Sequence, residues 1–115
     1  KVGLVHGDLC PRNVIINDDI IYLLDWGTAE INVVPHTEIG ILLLSEEASK
    51  VDINYFLKGL GLPPNKYMAI EHELKILNLL HRLDKYRWAE GHGISSIEGY
   101  TEKIKKAFDQ INKKY

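Results

Sequence analysis

The sequence predicts an α+β chain, mostly helical, in which a short β-hairpin near the N-terminus leads into about four helices. Three observations carry that expectation. Two β-branched and aliphatic runs, Val14–Ile16 and Ile20–Leu24, are separated only by Asn17-Asp18-Asp19, residue types that tolerate the backbone conformations of tight turns. From Pro35 onward, apolar residues recur at helical rather than alternating spacing, interrupted at Gly61, Pro63-Pro64 and Gly91-His92-Gly93. At 115 residues, 45% hydrophobic and 26% charged, the chain suits one compact domain and not two.

Taken in order, Val2–Val5 reads as a short strand with no neighbour upstream in the sequence. Because the chain opens on Lys1 rather than methionine, it is expected to be a piece of a longer protein. The hairpin follows and brings its own two ends together. The first helix is expected over Thr37–Ala48, with Ile39, Leu42 and Leu43 inward and Ser45-Glu46-Glu47 on the polar side. A second covers Asp52–Leu60, stopped by Gly61 and broken off by the two prolines. The third and longest runs from Asn65 to Tyr86 with Ile70, Leu74, Leu77 and Leu80 as its stripe. Ser95 or Ser96 then caps a last helix over Ile97–Lys113, whose apolar face is Ile97, Ile104, Phe108 and Ile111.

Charge and composition exclude several functions. A net charge of −2 gives no general attraction to nucleic acid or to anionic membranes. Apolar runs such as Ile41–Leu44 are far too short to span a bilayer, and no basic, apolar leader opens the chain. The single cysteine, Cys10, cannot form an internal disulfide and suits a reducing compartment. A soluble, cytoplasmic domain is expected.

The chemistry gathers in two clusters, VHGDLCPRN (Val5–Asn13) and LLDWGTAE (Leu23–Glu30), which the hairpin joins. Asn13 precedes its first strand and Asp25 follows its second, so folding places both within reach of one site. With Asp8 they make two carboxylates and an amide oxygen, the hard donors that Mg²⁺ prefers alongside water and phosphate. Asn13 and Asp25 can hold the cation while Asp8 works on a hydroxyl. That division of labour is what phosphoryl transfer requires.

His6-Gly7-Asp8-Leu9-Cys10-Pro11-Arg12-Asn13 resembles the catalytic loop of the protein-kinase-like fold, His-x-Asp-x-x-x-x-Asn, and Asp25-Trp26-Gly27 resembles its metal-binding Asp-Phe-Gly element. His-Gly-Asp and Asp-Trp point to the small-molecule kinases, the aminoglycoside phosphotransferase and choline kinase family. Pro35-His36-Thr37-Glu38-Ile39-Gly40 is similar to that family's Pro-x-x-Asp-Leu-Ala helix start, with Glu38 in place of the aspartate. The resemblance covers Val5 to about Leu44. It implies a C-terminal lobe, with residues 1–34 as catalytic loop, hairpin and metal-binding segment and 35–115 as a helical subdomain. It further implies Asp8 as catalytic base, Asn13 and Asp25 as Mg²⁺ ligands, ATP as co-substrate, and His6 and Glu38 as supports of the loop. Arg12 is a candidate phosphate contact or simply a solvated side chain. No glycine-rich loop and no strand lysine paired with a helix glutamate are present in this sequence, so the N-lobe is expected to be missing and the isolated lobe to turn over little.

Other residues invite sharper readings than they support. Cys10 has no base of its own and is expected to pack. Glu71-His72-Glu73 lacks the second histidine a zinc helix needs, since position 76 is Ile76, and His81 faces away from His72. His36 and His92 stand at helix boundaries. Lys103, Lys105, Lys106, Lys113 and Lys114 read as a solvated helix face. Trp26 is expected to pack beneath Asp25, and Tyr86, Trp88 and Tyr100 to pack in the core or line a pocket. The leading expectation is transfer of the ATP γ-phosphate to a small-molecule hydroxyl: an aminoglycoside, choline, a sugar or an amino alcohol. An atypical protein kinase of the RIO type and a non-catalytic kinase-like scaffold are the alternatives. An isolated lobe would also expose its N-lobe-facing surface, which could support dimers.

Overall fold

The structure, a computed structural model, describes residues 2–45 and 47–113; Lys1, Glu46 and Lys114, named above, lie outside them. It is α+β and mostly helical, with two small antiparallel sheets and four α-helices among the described residues. β2 (Val14–Asn17) and β3 (Ile20–Leu23) form the expected hairpin, in register Val14 to Leu23 and Asn17 to Ile20. Its two-residue turn places Asp18 at φ 48° and Asp19 at φ 62°. Two successive left-handed residues make the turn whose twist matches that of the strands, and aspartate is among the few residues that accept it.

The strand at the start finds its partner downstream. β1 (Gly3–Val5) pairs antiparallel with β4 (Glu30–Asn32), Gly3 opposite Asn32 and Val5 opposite Glu30. This ladder ties the residue before His6 to the segment that follows Asp25, so both clusters hang from one small scaffold. The Asn32 side chain then accepts from the Val34 N–H at 2.8 Å and turns the chain into the helices.

α1 spans Thr37–Leu43 and stops five residues before the expected Ala48. The Ser45 hydroxyl donates to the Leu42 carbonyl at 2.8 Å and accepts the Glu47 N–H at 3.2 Å, a local alternative to the next helical turn. α2 (Ile53–Gly59) has Asp52 as N-cap, its Oδ1 accepting from the Asn54 and Tyr55 N–H groups. Gly61, at φ 64°, follows its end.

α3 runs from Pro64 to Gly91, 28 residues, past the expected end at Tyr86. Pro64 does not break the chain here but starts the helix, where its missing N–H costs nothing. α4 (Glu98–Asn112) begins from Ile97, with no serine side-chain cap. α3 packs against α1 and α4, and Leu42, Leu74, Ala89 and Ala107 fill the core between them. The α1–α3 crossing is close: a Cβ on Gly40 would lie 2.8 Å from the Leu74 carbonyl oxygen. Two stripe assignments change. Leu80 is 55% and Phe108 56% exposed, whereas Lys75, Asn78 and Ala107 are buried. The helices meet through Leu42 and Leu74 together with small and polar side chains, while Leu80 and Phe108 stay outside. No helix among the described residues is long and apolar enough to cross a membrane.

Candidate functional site

The loop between β1 and the hairpin is held by hydrogen bonds at almost every residue. His6 is buried, and its Nδ1 accepts the Asp8 N–H at 3.2 Å. A backbone N–H can only donate, so Nδ1 is the bare nitrogen and Nε2–H donates to the Leu24 carbonyl at 2.7 Å. One imidazole thus links the loop carrying Asp8 to the residue before Asp25. Trp26 lies edge-on to this ring at 4.7 Å, with its indole N–H on the Leu23 carbonyl. Its ring contact is His6.

Gly7 sits at φ 83°, and a Cβ there would meet the Thr28 carbonyl oxygen at 2.4 Å. The Thr28 hydroxyl donates to the His6 carbonyl at 3.1 Å. The Gly7 N–H donates to Glu38 Oε1 at 2.7 Å. Glu38 lies in the first turn of α1, where a carboxylate also favours the helix N-terminus. The Glu38 carboxylate thus reaches the loop backbone at Gly7.

Asp8 and Asn13 are joined directly. Asn13 Nδ2 donates to the Asp8 carbonyl at 2.9 Å and to Asp8 Oδ2 at 3.0 Å. The short 3-10 turn Pro11–Asn13 makes this reach possible, with proline presetting its first residue. The Cys10 thiol donates to the same Asp8 carbonyl at 3.3 Å. Burial first, and then the negative charge of Asp8, push that thiol above its ordinary pKa. Cys10 is thus a buried, protonated group, as a packing role requires.

Arg12 is neither simply solvated nor clear of the acids. Its Nη2 donates to Asp8 Oδ1 at 2.8 Å and Oδ2 at 3.0 Å, and its Nη1 donates to Glu47 Oε1 at 3.0 Å. Those contacts, with Glu47 first, hold the guanidinium still more firmly protonated. Among the described residues Asp8 Oδ2 receives two donors and Oδ1 one, which leaves Oδ1 with an open lone pair.

Across the hairpin base the Leu24 N–H donates to the Asn13 carbonyl at 2.8 Å, which makes Asp25 the next residue along from Asn13's partner. Asp25 is exposed, at φ 60° and ψ 62°, and leads into the 3-10 turn Trp26–Thr28. Among the described residues neither its carboxylate nor the Asn13 amide oxygen accepts a hydrogen bond. No group of three or more His, Cys, Asp or Glu side chains able to hold a metal occurs among the described residues.

Asp8 opens onto a pocket of about 400 Å³. Its lining includes Leu9, Arg12, Ser45 and Glu47, with His81, Arg82 and Lys85 from α3 and Tyr100 and Lys103 from α4. Nothing local in the sequence distinguishes His81 and Lys103; the fold makes them line the same pocket as Asp8. Tyr100 is in this lining; Tyr86 and Trp88 are not, and Trp88 stacks on His92 at 4.4 Å instead. His81 is pushed down to about 4 by burial and then by Lys85 and Arg82, so at neutral pH it is an uncharged ring. His36 pairs with Glu73 at 2.8 Å, and His72 is exposed.

No curated protein and no solved structure matches the chain. A family model described as the phosphotransferase enzyme family matches residues 1–67 of the 115, a span that includes His6, Asp8, Asn13, Asp25 and Glu38. The chain belongs to the phosphotransferase enzyme family.

Proposed function

We propose that the chain is the kinase-like C-terminal lobe of an ATP- and Mg²⁺-dependent phosphotransferase that moves the γ-phosphate onto a small-molecule alcohol. The observation that carries the reading is the position of Asp8, hydrogen-bonded to Asn13 on one side and opening onto the 400 Å³ pocket on the other. That volume suits a small molecule, which favours a metabolite acceptor over the protein substrate of a RIO-type kinase.

In this reading Asp8 Oδ1, the oxygen with an open lone pair, orients and accepts the proton of the acceptor hydroxyl. The unengaged oxygens of Asn13 and Asp25 are hard donors, and two of them suit an ion that takes its remaining ligands from water and phosphate. Mg²⁺ there would neutralise the phosphate oxygens during transfer. His6 and Glu38 hold the loop through Leu24 and Gly7. Arg12 keeps the Asp8 carboxylate in place, and reaches a phosphate only by leaving Glu47. The N-lobe that would cover the triphosphate is part of the proposal.

The test is Mg²⁺-dependent ATP consumption by the polypeptide that carries this chain. The acceptor panel comprises aminoglycosides, choline, sugars, amino alcohols and a generic protein, with Asp8→Asn as control. Acceptor-dependent turnover that falls by about 10² to 10⁴ in Asp8→Asn is expected. Absence of both turnover and Mg·ATP binding would leave the scaffold reading in its place.

A further inference from the structure

The α3 and α4 part of the Asp8 pocket lies beyond residue 67, outside the stretch matched to the family, and it is basic. Among the described residues the acids lining the pocket are Asp8 and Glu47; both pair with Arg12, Glu47 through Oε1 alone. Arg82, Lys85 and Lys103, three cations from two helices, line the same pocket. Arg82 and Lys103 have interactions of their own within the chain, so Lys85 matters most. It is exposed and makes no ion pair among the described residues.

An acceptor that offers its hydroxyl to Asp8 must extend toward these cations. We propose that the acceptor is an alcohol carrying an acidic group, a carboxylate or a phosphate, which Lys85 binds together with Arg82 and Lys103 in the pocket they share with Asp8. This rests on the phosphotransferase reading and names its substrate class. Cationic acceptors are disfavoured on the same ground. A quaternary ammonium needs an aromatic cage, and among the described residues lining this pocket Tyr100 is the one aromatic side chain other than histidine. Burial lowers the basicity of His81 most, and Lys85 and Arg82 lower it further, while Asp84 and Asp8 act against them. An uncharged His81 can still hydrogen-bond a second hydroxyl of the acceptor.

Two readouts separate this proposal from the activity it rests on. Binding of glycerol 3-phosphate, D-glycerate, glycerol and choline to the chain is followed through the NMR shifts of His81 and Lys85. Phosphotransfer from Mg·ATP to the same four compounds is measured with the polypeptide that carries the chain. Glycerol 3-phosphate and D-glycerate are expected to bind at least tenfold more tightly than glycerol or choline; which of the two is tighter distinguishes phosphate from carboxylate. Lys85→Ala should weaken both acids about tenfold and Lys85→Glu more, while Lys85→Arg should keep most of the affinity. Lys85 is exposed, so these variants should retain the parent melting temperature. Choline or glycerol binding as tightly as the acids, or acid binding indifferent to Lys85→Glu, would overturn the proposal. Acid binding that depends on Lys85 without phosphotransfer to any compound or Mg·ATP binding would uphold the anion site and defeat the phosphotransferase reading. Turnover of choline but of neither acid would do the reverse.

Discussion

Glu38 offers the most direct test of how the loop is held. Its Oε1 accepts the Gly7 N–H at 2.7 Å, a short, partly buried bond to a carboxylate. Bonds of this kind contribute about 1.5–3 kcal/mol. Glu38→Ala removes it, and with it a helix N-terminal charge worth about 0.3–1 kcal/mol, against which alanine's better helix propensity returns only a few tenths. Gly7 cannot readily turn to find another acceptor, because its φ of 83° and its packing on Thr28 fix the peptide. A loss of about 2–3 kcal/mol follows for the loop. Glu38→Gln keeps a neutral oxygen in place and should lose roughly half of that. The assay is amide hydrogen exchange at Gly7 alongside urea denaturation, since a loop can open locally without global unfolding. Protection at Gly7 should fall by about 30- to 100-fold in Glu38→Ala. If protection stays within twofold of the parent and stability within about 0.5 kcal/mol, Glu38 does not brace the loop.

Other perturbations follow from the same geometry. Gly40→Ala forces a Cβ to 2.8 Å from the Leu74 carbonyl oxygen, which cannot swing aside, so overpacking of about 1–3 kcal/mol should outweigh the gain in helix propensity. A thermal melt should show a lower Tm; an unchanged or higher one would mean that α1 and α3 have room to part. His81 gives a pH dependence of definite sign. The unfolded chain binds a proton there below about 6.5, the folded chain only below about 4, so the stability His81 confers is complete above 6.5 and is lost as pH falls toward 4. The slope is at most about 1.4 kcal/mol per pH unit, and solvent screening reduces it. His81→Gln should flatten the melt profile in that window, and a profile identical to the parent's would show that His81 titrates normally.

Much of the site was legible because it is local. Asp18 and Asp19 are among the few residue types that suit two successive positive φ values, and the hairpin they fix puts Asn13 opposite the Leu23–Leu24 end. β4 was not legible: Glu30-Ile31-Asn32 has no distinctive alternation, and its partner lies more than twenty residues away. The helix stripes misled for a different reason. Large apolar side chains were taken to mark the buried face, yet α4 meets α3 through Ala107 and leaves Phe108 outside, and α3 buries Asn78 while Leu80 is exposed. Periodicity finds the buried face through Leu74, Ile70 and Leu77, but it misplaces Leu80 and Phe108 at the edge of that face, where smaller or polar neighbours are buried instead. His81 was weighed only as a partner for His72, a comparison within one helix that cannot reveal a neighbour brought in by α1 and the loop.

The early end of α1 connects these parts. Had the helix continued to Ala48, Glu47 would follow the helical path instead of the turn that carries it to Arg12. Ser45 breaks the helix by bonding both Leu42 and Glu47, and the chain turns Glu47 toward the loop. Arg12 then spans Asp8 and Glu47, so the residue assigned as base and the floor of the acceptor pocket are set by one side chain. This also partitions the site. The groups assigned to chemistry belong to a hairpin and loop fixed by backbone and buried hydrogen bonds, where a one-residue shift would undo several contacts at once. The groups proposed to bind the acceptor belong to α3 and α4 beyond the family match, where Lys85 can be exchanged without disturbing any hydrogen bond described for the loop. Chemistry common to a family and acceptor preference particular to this chain can therefore change independently, and Lys85 is the first position at which to look for the change.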